Sequence, residues 1–333
     1  MEEFKNELKD KIRKERPKLR DSSLNAYVFN IVKLYKLMDL EDEPDNLDFL
    51  QDYDGVMDAI QDKKLSTKKT FLAAIVVALM ADQEDDEDKE LIHRYRTEME
   101  KLADQNNKEQ KEQKLSDTQS ENWVSLDALK KVMRKYKTDI FDRKLLNKDK
   151  LDKKEMDLLQ KWTVASLYLL SDKNPPLRLE YGNMAIITEP EYKKLSEEDK
   201  KKNYLVVKNK SKKYFHLGEY KTSGTYGQKQ IPIGKTLNSV LNIWMKYNKT
   251  KHLLLNTSGN MMGSNGLTKY LNRVFEPTGK KNISASMLRH IYITTKFPPQ
   301  LSDREKTADL MNHSVGQQVL YSKKTDDEKD KKD

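Results

Sequence analysis

An arginine, a histidine and a tyrosine near the C-terminal end of the chain have a spacing that suits phosphoryl chemistry. Arg289 is followed 24 positions later by His313, and Tyr321 lies 8 positions beyond that histidine. Phosphoryl transfer concentrates negative charge on oxygens that a planar guanidinium can bind in pairs, and a neutral histidine can donate a further hydrogen bond. A phenol, with an unperturbed pKa of about 10, becomes a nucleophile where positive charge stabilises the phenolate. The three residues therefore predict a tyrosine that attacks a phosphodiester.

The elements before this segment begin with an all-helical N-terminal part. The apolar run of residues 71–80 is too short to span a bilayer and suits a buried core helix. Residues 105–116 have almost no apolar side chains, which indicates a linker or a frayed helix end, so the domain boundary is placed near residue 115. By periodicity, helices are expected over residues 20–38, Asn46–Gln61, Thr67–Ala81 and residues 89–104.

The remaining chain predicts helices around a few short strands. The helices are expected over Ser125–Tyr136, Lys153–Leu170, Thr236–Tyr247, Gly266–Phe275, Ser284–Thr295, Ser302–Asn312 and a short piece around Tyr321. The strands are expected over Met184–Thr188, Tyr204–Val207, Tyr214–Leu217 and Gln230–Ile233. The predicted fold class is mainly α: a helical domain of residues 1–115, then an α+β domain of residues 116–322 with a small antiparallel sheet. Residues 323–333 form a charged tail that is expected to be disordered.

Composition narrows the function classes. The 333 residues suggest two domains, and the lack of cysteine excludes disulfides and thiolate metal sites. Five histidines without an HExxH-type pair argue against metal catalysis. Residues 1–120 hold 21 Lys and Arg against 29 Asp and Glu, a net charge of −8, whereas residues 121–333 hold 42 against 25, a net charge of +17. This asymmetry predicts a basic C-terminal part that binds a polyanion. Without a secretory signal at its N-terminus, the chain is expected to be intracellular.

With Arg178 and Lys221 added, the pattern resembles the tyrosine recombinase and integrase family. The matching segments are Pro175–Arg178 (PPLR), Glu219–Thr222 (EYKT), Ser286–His290 (SMLRH) and Met311–Ser314 (MNHS), with Tyr321 beyond them. The first two look most like integrases of large DNA viruses of eukaryotes and of their satellites. The N-terminal helices look like the family's core-binding domain, which clamps DNA.

The resemblance implies a role for each residue. Tyr321 attacks the scissile phosphate and forms a 3′-phosphotyrosyl bond, Arg178 and Arg289 bind the non-bridging oxygens, and His313 adds a donor. Lys221 protonates the departing 5′-oxygen. The implied enzyme is a site-specific recombinase or integrase that needs no cofactor, no metal and no membrane. Its implied partner is double-stranded DNA, on which a homotetramer joins two sites. A viral origin would place it in the host nucleus or in a viral replication compartment.

The second arginine box departs from the family, because Ser286 stands where histidine or lysine is usual. A serine can donate a hydrogen bond but cannot act as a general base at neutral pH. Deprotonation of Tyr321 is therefore left to solvent, to the field of the arginines, or to His290 or His313. Ser286 and His290 are thus possible auxiliary residues.

Two other functions fit parts of the pattern. A type IB topoisomerase uses the same catalytic residues but acts as a monomer, and it usually begins with a β-rich domain. A DNA-binding relative that has lost catalysis is supported only by Ser286. Taken singly, Arg178 could also be a flanking charge paired with Glu180, and Lys221 could be one of several surface lysines.

Overall fold

Helices make up most of the chain in a computed structural model that describes residues 1–40, 43–82, 86–111, 115–170 and 175–296. The predicted mainly α class with a small sheet is confirmed. The chain divides into two units, one of residues 1–115 and one that begins at Ser116. The predicted helix Ser302–Asn312, the segment around Tyr321 and the charged tail of residues 323–333 lie outside the described residues.

The first unit packs its helices around one buried apolar helix. Its helices are α1 (Glu2–Glu15), α2 (Asp21–Leu37), α3 (Tyr53–Ile60), α4 (Leu65–Asp82) and α5 (Asp86–Lys111). The predicted core helix is α4, whose side chains from Phe71 to Leu79 are almost all buried. Helices α1, α2 and α5 all pack against it. Helix α4 is therefore apolar around its whole circumference, and not along one stripe only, and it forms the core of this unit.

Two boundaries in this unit differ from the prediction. The expected helix over Asn46–Gln61 is a 3₁₀ turn, Asp48–Gln51, followed by α3. The break occurs at Asp52, whose side chain accepts a hydrogen bond from the Gly55 amide at 3.0 Å and so begins a new helix. In addition, α5 continues as far as Lys111, through much of the segment that was expected to be a linker or a frayed end.

The second unit surrounds a buried helix, α8, with helices and a sheet. Its helices are α6 (Asp117–Asn122), α7 (Leu126–Asp142), α8 (Lys153–Leu169), α9 (Glu189–Lys193), α10 (Ser223–Tyr226), α11 (Lys235–Tyr247), α12 (Gly263–Phe275) and α13 (Ala285–Lys296). The side chain of Asp152 caps α8 by accepting from the amides of Lys154 and Glu155 at 2.7 and 2.9 Å. Nearly every residue from Leu159 to Leu169 is buried, and α7, α11 and α12 pack against them.

Within the described residues the sheet has four strands in sequence order: β1 (Met184–Thr188), β2 (Asn203–Val207), β3 (Lys213–Leu217) and β4 (Lys229–Pro232). It is mixed, and the expectation of a wholly antiparallel sheet is wrong for one pair. Strands β2, β3 and β4 pair antiparallel, whereas β1 pairs parallel with β2. A parallel pair requires a crossover connection of about a dozen residues or more. Residues 189–202, which contain α9 and a 3₁₀ turn, provide it.

The core hydrogen bond of Tyr136 yields a stability prediction. Its hydroxyl donates to the Val274 carbonyl oxygen at 2.6 Å, and burial raises the pKa of Tyr136 to about 12, so the donor keeps its proton. Tyr136→Phe leaves that carbonyl unpaired and should lower the free energy of unfolding by about 1–2 kcal/mol in urea denaturation. Tyr226→Phe, at a side chain that is 64% exposed, is the control and should change it little. Equal effects of the two substitutions would contradict the assignment.

Candidate functional site

The backbone of Arg178 is fixed by a buried tyrosine at the end of α8. The hydroxyl of Tyr168, which is 1% exposed, donates to the Arg178 carbonyl oxygen at 2.5 Å. Burial raises the pKa of Tyr168 well above its usual value, so this hydroxyl remains a donor. The ring of Tyr181 packs edge-on against Tyr168, with the ring centroids 5.4 Å apart. Two packed tyrosine rings therefore hold the backbone of Arg178 just before the 3₁₀ turn Glu180–Asn183.

Arg289 comes from the second turn of α13. The Ser284 hydroxyl oxygen accepts from the Met287 amide at 3.2 Å near the start of this helix. Met287, Leu288 and Ile291 are buried in the core of the second unit, which anchors the inner face of the helix. The side chain of Arg289 is partly buried beside them. Its position therefore depends on how α13 packs, and not on local sequence.

The two arginines lie within electrostatic range of each other although 111 positions separate them along the chain. Loss of solvent is the largest cause that lowers the pKa of Arg289, and the positive charge of Arg178 is the second. The carboxylate of Glu180 and the hydroxyl of Tyr168 act in the opposite direction. The two like charges therefore oppose each other's ionised form in a position that is partly removed from solvent.

Glu180 does not neutralise this pair by direct contact. Its Oε2 atom is buried and has no hydrogen-bond partner among the described residues. Within the same part of the chain, neither Arg178 nor Arg289 forms an ion pair with a carboxylate, so the alternative in which Arg178 pairs with Glu180 is not supported. Counted over the described residues alone, Arg178 and Arg289 face the single carboxylate of Glu180, which leaves one excess positive charge in a partly desolvated position. Such a position favours an anion with several acceptor oxygens.

Lys221 lies in the loop of residues 218–228 that joins β3 to β4, hereafter the Lys221 loop. The buried side chain of Asn203 holds its start, since Oδ1 accepts from the Gly218 and Glu219 amides at 3.1 and 3.0 Å. A Cβ atom at Gly218 would clash with the Lys200 and Lys201 carbonyls. The side chain of Lys221 is exposed, and no hydrogen bond within the described ranges joins it to either arginine.

The remaining predicted residues divide between the exposed surface and the undescribed segment. Ser286 and His290 are exposed on α13. Ser286 lies three positions before Arg289 and is therefore its neighbour on the helix surface, whereas His290, one position after Arg289, lies about 100° further around the helix. His313 and Tyr321 lie outside the described residues. The structure therefore brings together Arg178 and Arg289, with Ser286 next to the latter on the surface of α13.

Tyr168 was not among the predicted site residues, and Glu180 was considered only as a partner for Arg178. Tyr168 lies in an apolar helix, where a tyrosine is usually a core residue, so its contact with the Arg178 carbonyl had no signal in the sequence. The sequence did contain a signal for Glu180. Its carboxylate follows Arg178 by two positions, at the start of the turn Glu180–Asn183, and therefore stays close to that arginine.

Two further site classes find no support in the described part of the chain. It holds no group of three or more His, Cys, Asp or Glu side chains that could bind a metal ion. Nor does any helix there have the length and apolar character needed to cross a membrane.

Comparisons with known proteins include a weak structural likeness to a solved structure. No protein-family model matches the chain, and no curated protein sequence does. A solved structure described as the crystal structure of XerA recombinase shows 10% sequence identity, over 97% of this chain and 95% of that one, with a TM-score of 0.32. A likeness at this TM-score is too weak to assign the chain to a family.

The arginine pair yields a prediction on anion binding. Inorganic phosphate several-fold above its dissociation constant should stabilise the folded chain by about 1 kcal/mol or more. The midpoint of thermal unfolding should then rise by roughly 2–4 °C relative to chloride at equal ionic strength. Arg289→Met should remove most of this shift. Arg273→Met, at an exposed arginine on α12, should retain it; loss of the shift in both variants would indicate a non-specific salt effect.

Proposed function

We propose that this chain is a tyrosine recombinase, a DNA strand transferase that joins two duplexes through a covalent phosphotyrosyl intermediate. The observation that supports the proposal best is the pair formed by Arg178 and Arg289. The two residues belong to the PPLR and SMLRH segments of the sequence. They share a partly desolvated position in which, among the described residues, positive charge is in excess. The negative charge of the non-bridging phosphate oxygens would balance the excess positive charge of this pair.

In the proposed cleavage step, one bond to phosphorus forms and one breaks. The Tyr321 phenol oxygen attacks the phosphorus atom and loses its proton to solvent, His290 or His313. The bond from phosphorus to the 5′-oxygen breaks, and Lys221 gives that oxygen a proton, which leaves a 3′-phosphotyrosyl bond and a free 5′-hydroxyl. Arg178 and Arg289 stabilise the charge that develops on the non-bridging oxygens. The covalent bond retains the energy of the phosphodiester, so a 5′-hydroxyl from a second duplex can reverse the step.

The mobile ammonium of Lys221 suits its role. Lysine has rotatable donors on a flexible stem, and the exposed position of Lys221 in a loop whose start is held by Asn203 allows it to reach a bound strand. Recombination of two duplexes requires four strand cuts, so a homotetramer on two DNA sites belongs to the proposal. So do the DNA-clamp role of residues 1–115 and, from the resemblance to viral integrases, a role in integrating viral DNA in the host nucleus.

The decisive experiment traps the covalent intermediate without knowledge of the target site. A pool of duplexes nicked next to the scissile position, with randomised sequence on both sides of the nick, is incubated with the protein. Protein-bound DNA is then recovered under denaturing conditions and sequenced. Wild-type protein should retain DNA of a defined sequence, and Tyr321→Phe should retain none while binding duplex with nearly unchanged affinity, because phosphate contacts dominate binding. Tyr292→Phe is the matched control and should behave as wild type; loss of the adduct in that variant alone would transfer the nucleophile to Tyr292.

The general-acid role of Lys221 has its own test. Lys221→Ala should slow cleavage of a normal 5′-oxygen leaving group by about 10²–10⁴-fold. Cleavage of a substrate with a 5′-thiolate leaving group should be slowed far less, because a thiolate departs without protonation. Lys210→Ala, at an exposed lysine in the turn between β2 and β3, should affect neither substrate. Equal slowing on both substrates would leave Lys221 as a phosphate contact.

A further inference from the structure

The Lys221 loop displays an aromatic ring whose placement the proposed cleavage chemistry does not use. The side chain of Tyr226 is 64% exposed at the end of α10. The ammonium group of Lys229 lies 4.8 Å from the centre of its ring. Exposure of an aromatic ring to water is unfavourable, but single exposed rings are common on protein surfaces and do not by themselves indicate a binding site. The rigidity of the loop that carries this ring is what distinguishes it.

The loop is held at both ends. At its start, the Asn203 amide accepts from two loop amides and donates to the Glu219 carbonyl oxygen at 2.7 Å. At its end, the Tyr220 hydroxyl donates to the Gly227 carbonyl oxygen at 2.7 Å, and Gly227 has a φ of 65°, a region that favours glycine. The ring of Tyr226 therefore extends from a closed loop, and ordering it against a ligand costs little conformational entropy.

The charges around this ring match a nucleic acid strand. Lys221 and Lys229 are exposed on either side of Tyr226 in the sequence, and Lys229 lies near both Tyr220 and Tyr226. Aromatic rings that alternate with cations are the usual platform for nucleobases, because the ring stacks on the base and the cations contact the neighbouring phosphates. A protein partner fits less well, since a stable interface buries about 800 Å² on each side, far more than one ring offers.

We infer that Tyr226 stacks on a nucleobase of the DNA strand, on the 5′-hydroxyl side of the scissile phosphate. The side follows from the proposed function, on which this inference rests, because Lys221 would protonate the 5′-oxygen of that strand. Tyr226 lies five positions after Lys221, a path of at most roughly 17 Å, which α10 shortens. The ring thus reaches a base within a few nucleotides of the cut, since one strand rises about 3.4 Å per nucleotide. A base that is unpaired or frayed at the nick is the preferred ligand, because a paired base is already stacked.

Photocrosslinking tests the inference in a Tyr321→Phe background, which separates binding from cleavage. The probes are a 15-nucleotide oligothymidylate strand with one central 5-iodouracil and its blunt duplex. Irradiation should attach the single strand to the tryptic peptide of residues 222–229, in which Tyr226 is the one aromatic residue. The duplex should give a lower yield. Tyr226→Ala should lose the crosslink and bind the single strand about 5- to 100-fold more weakly, whereas Tyr226→Phe should retain both properties.

Phe141→Ala provides the matched control. Phe141 is 48% exposed, and the Lys137 ammonium lies 5.7 Å from the centre of its ring, but both residues belong to the regular helix α7. This variant should crosslink and bind as its parent does. The inference is overturned if Tyr226→Ala crosslinks and binds normally, or if the crosslink maps to the peptide that contains Phe141. If the Tyr226 inference fails, a chain with Tyr321 intact can still form the covalent adduct, so the recombinase proposal stands. If the chain forms no adduct but crosslinks at Tyr226, only the recombinase proposal is contradicted.

Discussion

The repulsion between two partly buried guanidinium groups is the interaction on which the candidate site depends. Bringing Arg178 and Arg289 together costs free energy twice, through loss of solvent and through like charge, and both effects lower the pKa of Arg289. Glu180 offsets only part of that cost, and its buried Oε2 atom makes no hydrogen bond among the described residues. The surrounding packing must therefore hold the pair in place, and the proposed binding of a phosphate group would offset the repulsion between the two arginines.

That packing comes from α8 and α13. Helix α8 is buried along most of its length, and its penultimate residue, Tyr168, both fills the core and fixes the Arg178 carbonyl. Helix α13 is anchored by Met287, Leu288 and Ile291 on its inner face, which leaves Arg289 at the border of the core. The Lys221 loop is held by hydrogen bonds from Asn203 and Tyr220 in addition to the burial of the Tyr220 ring in the core. An arginine pair held by core packing and an exposed lysine on a hydrogen-bonded loop are compatible with their separate proposed roles.

Much of the fold follows from local pattern. The four strands were predicted within about one residue at each end, because short β-branched and aromatic segments between charged turns leave few alternatives. Helix α1 was not predicted, although Phe4, Leu8 and Ile12 recur at helical spacing, because charged residues dominate that segment. The parallel pairing of β1 with β2 was also missed. Strand pairing depends on where a crossover returns the chain, and local periodicity does not record that path.

The sequence by itself determined which residue types are available for phosphoryl chemistry and in what order they occur. Guanidinium, ammonium, imidazole and phenol groups have intrinsic properties that no fold is needed to read. Only the tertiary structure decided that Arg178 and Arg289 lie within electrostatic range, that Tyr168 supports the first of them, and that Glu180 leaves their charge in excess. The physical reason is that desolvation and Coulomb interaction depend on distance and burial in space. A separation of 111 positions in the sequence specifies neither.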